Sequence, residues 1–146
     1  MRSASDAPDK VLLNKAAIIE RALKRMKQEY RFDPELKNHT HIDAMILNIE
    51  RACQAAIDAA QHIVSRDRLG MPQNSAEAFT LLEQAGIIET EIARSMVAMT
   101  GFLNVAVHEY QELDNSVLHE IATRHYRSLI DFCRAVGVRV DVPDDQ

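Results

Sequence analysis

The stretch IDAMILNIERACQAAIDAAQHIV, residues 42–64, is the longest helical pattern in the chain. Its apolar members Ile42, Met45, Ile46, Ile49, Cys53, Ala56, Ile57, Ala60, Ile63 and Val64 follow the period of one helical face. The pattern predicts a helix of about seven turns. It starts near Thr40, where Thr40-x-x-Asp43 approximates a capping box with Asp in place of Glu. Many residues on the apolar face are small, so a neighbouring helix can approach closely, and this segment is the expected central helix. Gly70 and then Pro72 end it in the order typical of helix termination.

On the N-terminal side, Leu12, Ala16, Ile19, Leu23, Met26 and Tyr30 form one apolar stripe. They predict a helix from about Asp9 to Arg31, with Lys15, Glu20, Arg21, Lys24 and Lys27 on its other face and Pro34 after its end. On the C-terminal side, Asn74 with Glu77 reads as the cap of a short helix through Phe79, Leu81 and Leu82 to Gly86. A fourth helix begins at Glu89 or Thr90 and carries Ile92, Met96, Val97, Met99 and Phe102. Gly101 interrupts it at a cost of about 1 kcal/mol relative to Ala. The last helix runs from about Asn115 to Val136, with Val117 or Leu118, Ile121, Tyr126 or His125, Leu129 and Phe132 facing inward. No repeat and no strand of convincing length interrupts this series. The expected fold is all-α, an up-and-down bundle of four or five helices. It forms one domain over residues 9–136, between a disordered leader (1–8) and a disordered acidic tail (137–146).

Composition agrees with helices packing on helices. Of 146 residues 47% are apolar and only 5% aromatic, with no Trp. The formal charge of −5 excludes a bulk electrostatic binder of nucleic acid but leaves room for a local basic site. Cys53 and Cys133 sit within helical apolar patterns and read as free buried thiols. No apolar run approaches the roughly 20 residues of a membrane span. The first ten residues lack the apolar core of a signal peptide, so a cytoplasmic protein is expected. His39-x-His41 has no accompanying carboxylate or Cys pattern, so no metal or other cofactor is expected. The Glu-x-x-His pairs of a ferritin-type bundle are missing. His119 and His125 read as surface or core-edge residues. Arg21 and Arg51 can line a cleft, although solvated or salt-bridged surface residues are the simpler reading.

The chemistry-bearing stretch is Asn104-Val105-Ala106-Val107-His108-Glu109-Tyr110. Histidine titrates near neutrality and can act as acid or base, and an amide four residues before it shares its helical face. Positions 103 and 108 are about 140° apart on a helix, whereas 103 and 110 nearly coincide. One continuous helix therefore does not gather all four residues.

Together with Val11-Leu12-Leu13-Asn14-Lys15, Ile19-Glu20-Arg21, Arg51-Ala52-Cys53, Ile57-Asp58, Arg68-Leu69-Gly70-Met71-Pro72-Gln73, Gly86-Ile87-Ile88 and Met99 to Phe102, this stretch resembles the HepT-like HEPN-domain ribonuclease toxins. The likeness covers about residues 10–135, and the order and spacing of the pieces carry it. The family signature is R-x4-H-x-Y. His108 and Tyr110 match it, Asn104 matches the polar residue after the Arg, and Leu103 stands where the Arg belongs.

The resemblance implies a metal-independent RNA endonuclease that works as a homodimer, two copies of the motif lining a shared cleft. His108 would be the acid/base and Asn104 would orient it or a phosphate oxygen. It also implies a partner, an MntA-like nucleotidyltransferase antitoxin that transfers AMP to Tyr110. Leu103 can neither carry charge nor make the paired hydrogen bonds of a guanidinium, so catalysis by this chain is expected to be impaired. Three explanations of Leu103 stay open: natural divergence, a deliberate change that permits production of a toxic protein, or a motif whose Arg lies elsewhere. Arg94 is more than two turns away and poorly placed for that role. The alternative function is a non-catalytic HEPN module that partners a nucleotidyltransferase.

Overall fold

The computed structural model describes residues 9–108 and 114–143, with the side chains of residues 105–108 outside the description. It is all-α: α1 (Lys10–Phe32), α2 (His39–Arg66), α3 (Ser75–Gln84), α4 (Thr90–His108), α5 (Asn115–Glu120), a π-helical turn (Ile121–His125) and α6 (Tyr126–Ala135). No strand occurs among the described residues.

α1 and α2 lie antiparallel, as the ion pairs between them show. Glu29 near the end of α1 meets His41 at the start of α2, Lys15 meets Asp58, and Asp9 meets His62 and Arg66. Asp9 has a double role, because its Oδ1 accepts the Val11 and Leu12 amides at 3.0 and 3.2 Å and so caps α1. The segment α5–α6 runs antiparallel to α1 along another side. Asn115 Nδ2 donates to Leu36 O at 3.3 Å, and His119 reaches Tyr30, Lys27 reaches Tyr126, and the Asp141 amide reaches Glu20.

α2 packs against α1, α3, α4 and α6. Ala52, Ala55, Ala56, Ala59 and Ala60 are all buried, and their lack of bulk is what allows this central position. Phe79 of α3 and Phe132 of α6 meet edge to face in the core, with ring centroids 5.5 Å apart at 80°.

Five local expectations change. The cap of α2 is Asn38, whose Oδ1 accepts the Thr40 and His41 amides; Thr40 lies inside the helix. Asp33 fixes the preceding turn by accepting the Lys37 and Asn38 amides, which places Asn38 ahead of Thr40 as the cap. α2 closes at Arg68, in the left-handed region at φ 57°, two residues before Gly70. There Leu69 N–H donates to Val64 O and Arg68 N–H to Ser65 O, a pairing that satisfies the last carbonyls. Gly101 does not interrupt α4, which continues to His108. The last helix is split by the π turn, which inserts one residue and shifts the inward register from His125 to Tyr126. Leu118 is buried there while Val117 is 42% exposed.

The fifth change concerns the segment after Val136, expected to be a disordered tail. Val140 and Val142 are buried against the core, Val138 packs on it, and the Asp141 amide donates to Glu20 Oε1 at 2.8 Å. Val138, Val140 and Val142 alternate along it and give it an apolar edge that helical periodicity does not register. Residues 1–8 and 144–146 lie outside the described residues.

Candidate functional site

α4 carries the motif and is oriented by its buried face, Ala93, Met96, Met99 and Phe102. Leu103 comes next on the edge of that face, half-buried and packed against the core. Asn104, one residue and about 100° further round, is exposed and engaged in an interaction of its own. His108 is the last residue of α4, one turn beyond Asn104; its side chain lies outside the described residues, as does the whole of Tyr110. The structure therefore places two of the four motif side chains. Thr100 is buried beneath this surface, where its Oγ1 donates to Val97 O at 2.6 Å.

From α4 the chain leads to α5, and Asn115 is held against Leu36 beyond the end of α1. The neighbouring face holds polar groups that sequence reading did not single out as a site. A pocket of about 450 Å³ is lined by Lys27, Tyr30, Arg31, Thr123, Tyr126 and Arg127, among others. Tyr30 Oη and His119 Nδ1 share a hydrogen bond of 2.6 Å. Lys27 Nζ donates to Tyr126 Oη at 3.0 Å and lies 4.2 Å from that ring's centroid. Burial pushes the Tyr30 phenol above its ordinary value, so it keeps its proton at neutral pH. Three cations and two phenols are gathered on this face. These partners are 89 and 99 residues apart in sequence, and no local pattern pairs them.

His41 is held by Glu29, with Nδ1 and Oε1 2.5 Å apart, and stacks on Phe32. Hydrogen bonds from His41 and then Arg25 keep the Glu29 carboxyl below its ordinary value. Among the described residues no group of three or more His, Cys, Asp or Glu side chains is placed to hold a metal ion. Cys53 and Cys133 are free and buried, and burial pushes both thiols up to about 12. No helix among the described residues is long and apolar enough to cross a membrane.

Arg21 and Arg51 come together with Arg25 along a groove between α1 and α2. Arg21 and Arg51 are both exposed and neither makes an ion pair among the described residues, so of the two surface readings the solvated one fits and the salt-bridged one does not.

Residues 14–136 match the family described as Ribonuclease HepT-like. The chain is 37% identical over 129 residues to the mRNA nuclease HepT of Shewanella oneidensis, covering 86% of this chain and 97% of that protein. It is 38% identical over 61 residues to the tRNA nuclease HepT of Aphanizomenon flos-aquae, 42% of each chain. Among solved structures it is similar to a tri-AMPylated HEPN toxin of Shewanella oneidensis in complex with an MNT antitoxin. There the TM-score is 0.84 at 35% identity, over 88% of this chain and 98% of that one. Sequence and fold agree along nearly the whole described chain: it belongs to the HepT-like ribonuclease family.

Proposed function

We propose that this chain is the toxin of a bacterial toxin–antitoxin pair, built as a metal-independent RNA endonuclease and acting in the cytoplasm as a homodimer. The observation that carries the reading is the near full-length likeness both to an mRNA nuclease and to a tri-AMPylated HEPN toxin in complex with an MNT antitoxin. Cleavage without a metal requires a base for the ribose 2′-OH, an acid for the leaving 5′-oxygen and positive charge at the phosphorane. His108 supplies the proton transfers and Asn104 orients it. The missing element is charge, because Leu103 occupies the cation's position and packs on the core. Tyr110 is the site at which a nucleotidyltransferase antitoxin adds AMP, placing anionic bulk in a phosphate-binding cleft.

The deciding experiment compares RNA cleavage by this chain, Leu103→Arg and Leu103→Arg/His108→Ala. Restoring one transition-state donor raises the rate by about a hundredfold or more, and removing His108 abolishes the gain. A folded, dimeric Leu103→Arg protein that cuts no RNA defeats the ribonuclease reading. The partner is tested separately by intact mass after incubation with ATP, magnesium and an MntA-like nucleotidyltransferase. Gain of AMP mass, lost in Tyr110→Phe, is expected; no gain removes Tyr110 as the modified residue.

Leu103 itself favours a second reading, a non-catalytic module that engages a nucleotidyltransferase. Retained complex formation with no cleavage by Leu103→Arg selects it.

A further inference from the structure

We propose that the groove between α1 and α2 is a binding track for the phosphodiester backbone of single-stranded RNA, an inference that rests on the ribonuclease reading. The groove has a volume of about 400 Å³, and its lining includes Arg21, Arg25, Ala44, Leu47, Asn48 and Arg51. Ala22 and Ala44 leave the space between the helices open, and three guanidinium groups stand along it. No carboxylate is among the lining residues.

Arg25 is engaged with Glu29 at 3.0 Å, whereas Arg21 and Arg51 are exposed and pair with no described residue. Two unneutralised arginines in a concave slot are a local exception in a chain of net charge −5. Guanidinium groups hold phosphate oxygens by paired hydrogen bonds, which fits this lining to a phosphodiester.

Two further features favour RNA over an acidic protein surface. Leu47 is 45% exposed beside the arginines and offers an apolar wall to a ribose or base. Asn48 Nδ2 is committed to Ala44 O at 2.8 Å, and among the described residues nothing occupies its carbonyl oxygen. That oxygen is an acceptor suited to a 2′-OH, the group that distinguishes RNA. A second copy of this chain is disfavoured as occupant, because a two-fold contact would set the same arginines against each other.

The test is fluorescence anisotropy of a short labelled single-stranded RNA with the full chain, titrated at several KCl concentrations. Four proteins are compared: this chain, Arg21→Gln/Arg51→Gln, Arg21→Lys/Arg51→Lys, and Arg68→Gln/Arg94→Gln. The last changes charge equally at exposed positions outside the groove. The groove variant is expected to bind more weakly and to lose about 1.4 from the slope of log affinity against log salt, at about 0.7 per phosphate contact. The lysine variant should keep the slope and the distant variant should resemble the parent. Equal losses in the two glutamine variants, or no loss in either, overturn the proposal. Loss of nucleotidyltransferase binding with RNA binding unchanged also overturns it, marking a protein-docking surface instead. Cleavage by Leu103→Arg reports on the ribonuclease reading independently, so a failed groove and a failed nuclease give different results.

Discussion

Leu103 is the residue on which the proposed chemistry turns. It lies at the edge of the buried face of α4, where an aliphatic side chain is at home. An arginine can lay its methylene stem along the same surface and hold its charged end in solvent, so Leu103→Arg is compatible with the bundle. Asp9 is the opposite case, a polar residue on which two helices depend. Desolvation raises its pKa, but hydrogen bonds from His62, the Leu12 amide and Arg66 outweigh this and hold the carboxyl at about 2. A depressed folded-state pKa adds stability above the unfolded value of 3.8, and that stability is lost as pH falls towards 2. Asp9→Asn keeps an oxygen for the cap and removes the charge. Urea midpoints between those pH limits should fall for the parent and change less for the variant, and parallel curves would refute the assignment. Asp9→Ala, which loses the cap as well, should cost about 1 kcal/mol or more at neutral pH.

At the scale of elements, α4 and the last helix differ from ideal patterns for different reasons. Gly101 lies in unbroken helix, exposed, and a Cβ added there meets no atom within 4 Å. Gly101→Ala should therefore stabilise the protein by about 0.5–1 kcal/mol through lower unfolded-state entropy, a rise of about 1–4 °C in Tm. A lower Tm would mean that the glycine serves an approach by a partner. The π turn at Ile121–His125 re-aims the helix that follows it. By adding one residue it buries Tyr126 beneath Lys27 and exposes His125, while the turn before it sets His119 against Tyr30.

For the whole molecule, the alanine-rich α2 is the axis around which the other helices close. Burial at this centre protects Cys53 and Cys133, each all but inaccessible with a thiol at about 12. The native protein should be inert to a thiol-reactive dye at neutral pH, and both cysteines should react once urea unfolds it. Rapid labelling of either thiol without denaturant would show that the core opens locally. The overall negative charge repels RNA at long range, so any binding depends on where the cations are grouped.

The helices, the central place of residues 42–64 and the family are legible along the chain, because apolar period, caps and motif order are local properties. The short helix capped by Asn74 is an example, with Asn74 accepting the Glu77 amide at 2.9 Å as its spacing predicts. The choice of Asn38 over Thr40 as a cap, and of Tyr126 over His125 as the buried residue, waited on a neighbouring turn and a π insertion. The packing of Val140 and Val142 depended on a surface supplied by distant helices. Only the tertiary structure could group Arg21, Arg25 and Arg51, or set Tyr30 against His119. Such groupings depend on how antiparallel helices stand side by side, and a one-dimensional pattern carries no term for that.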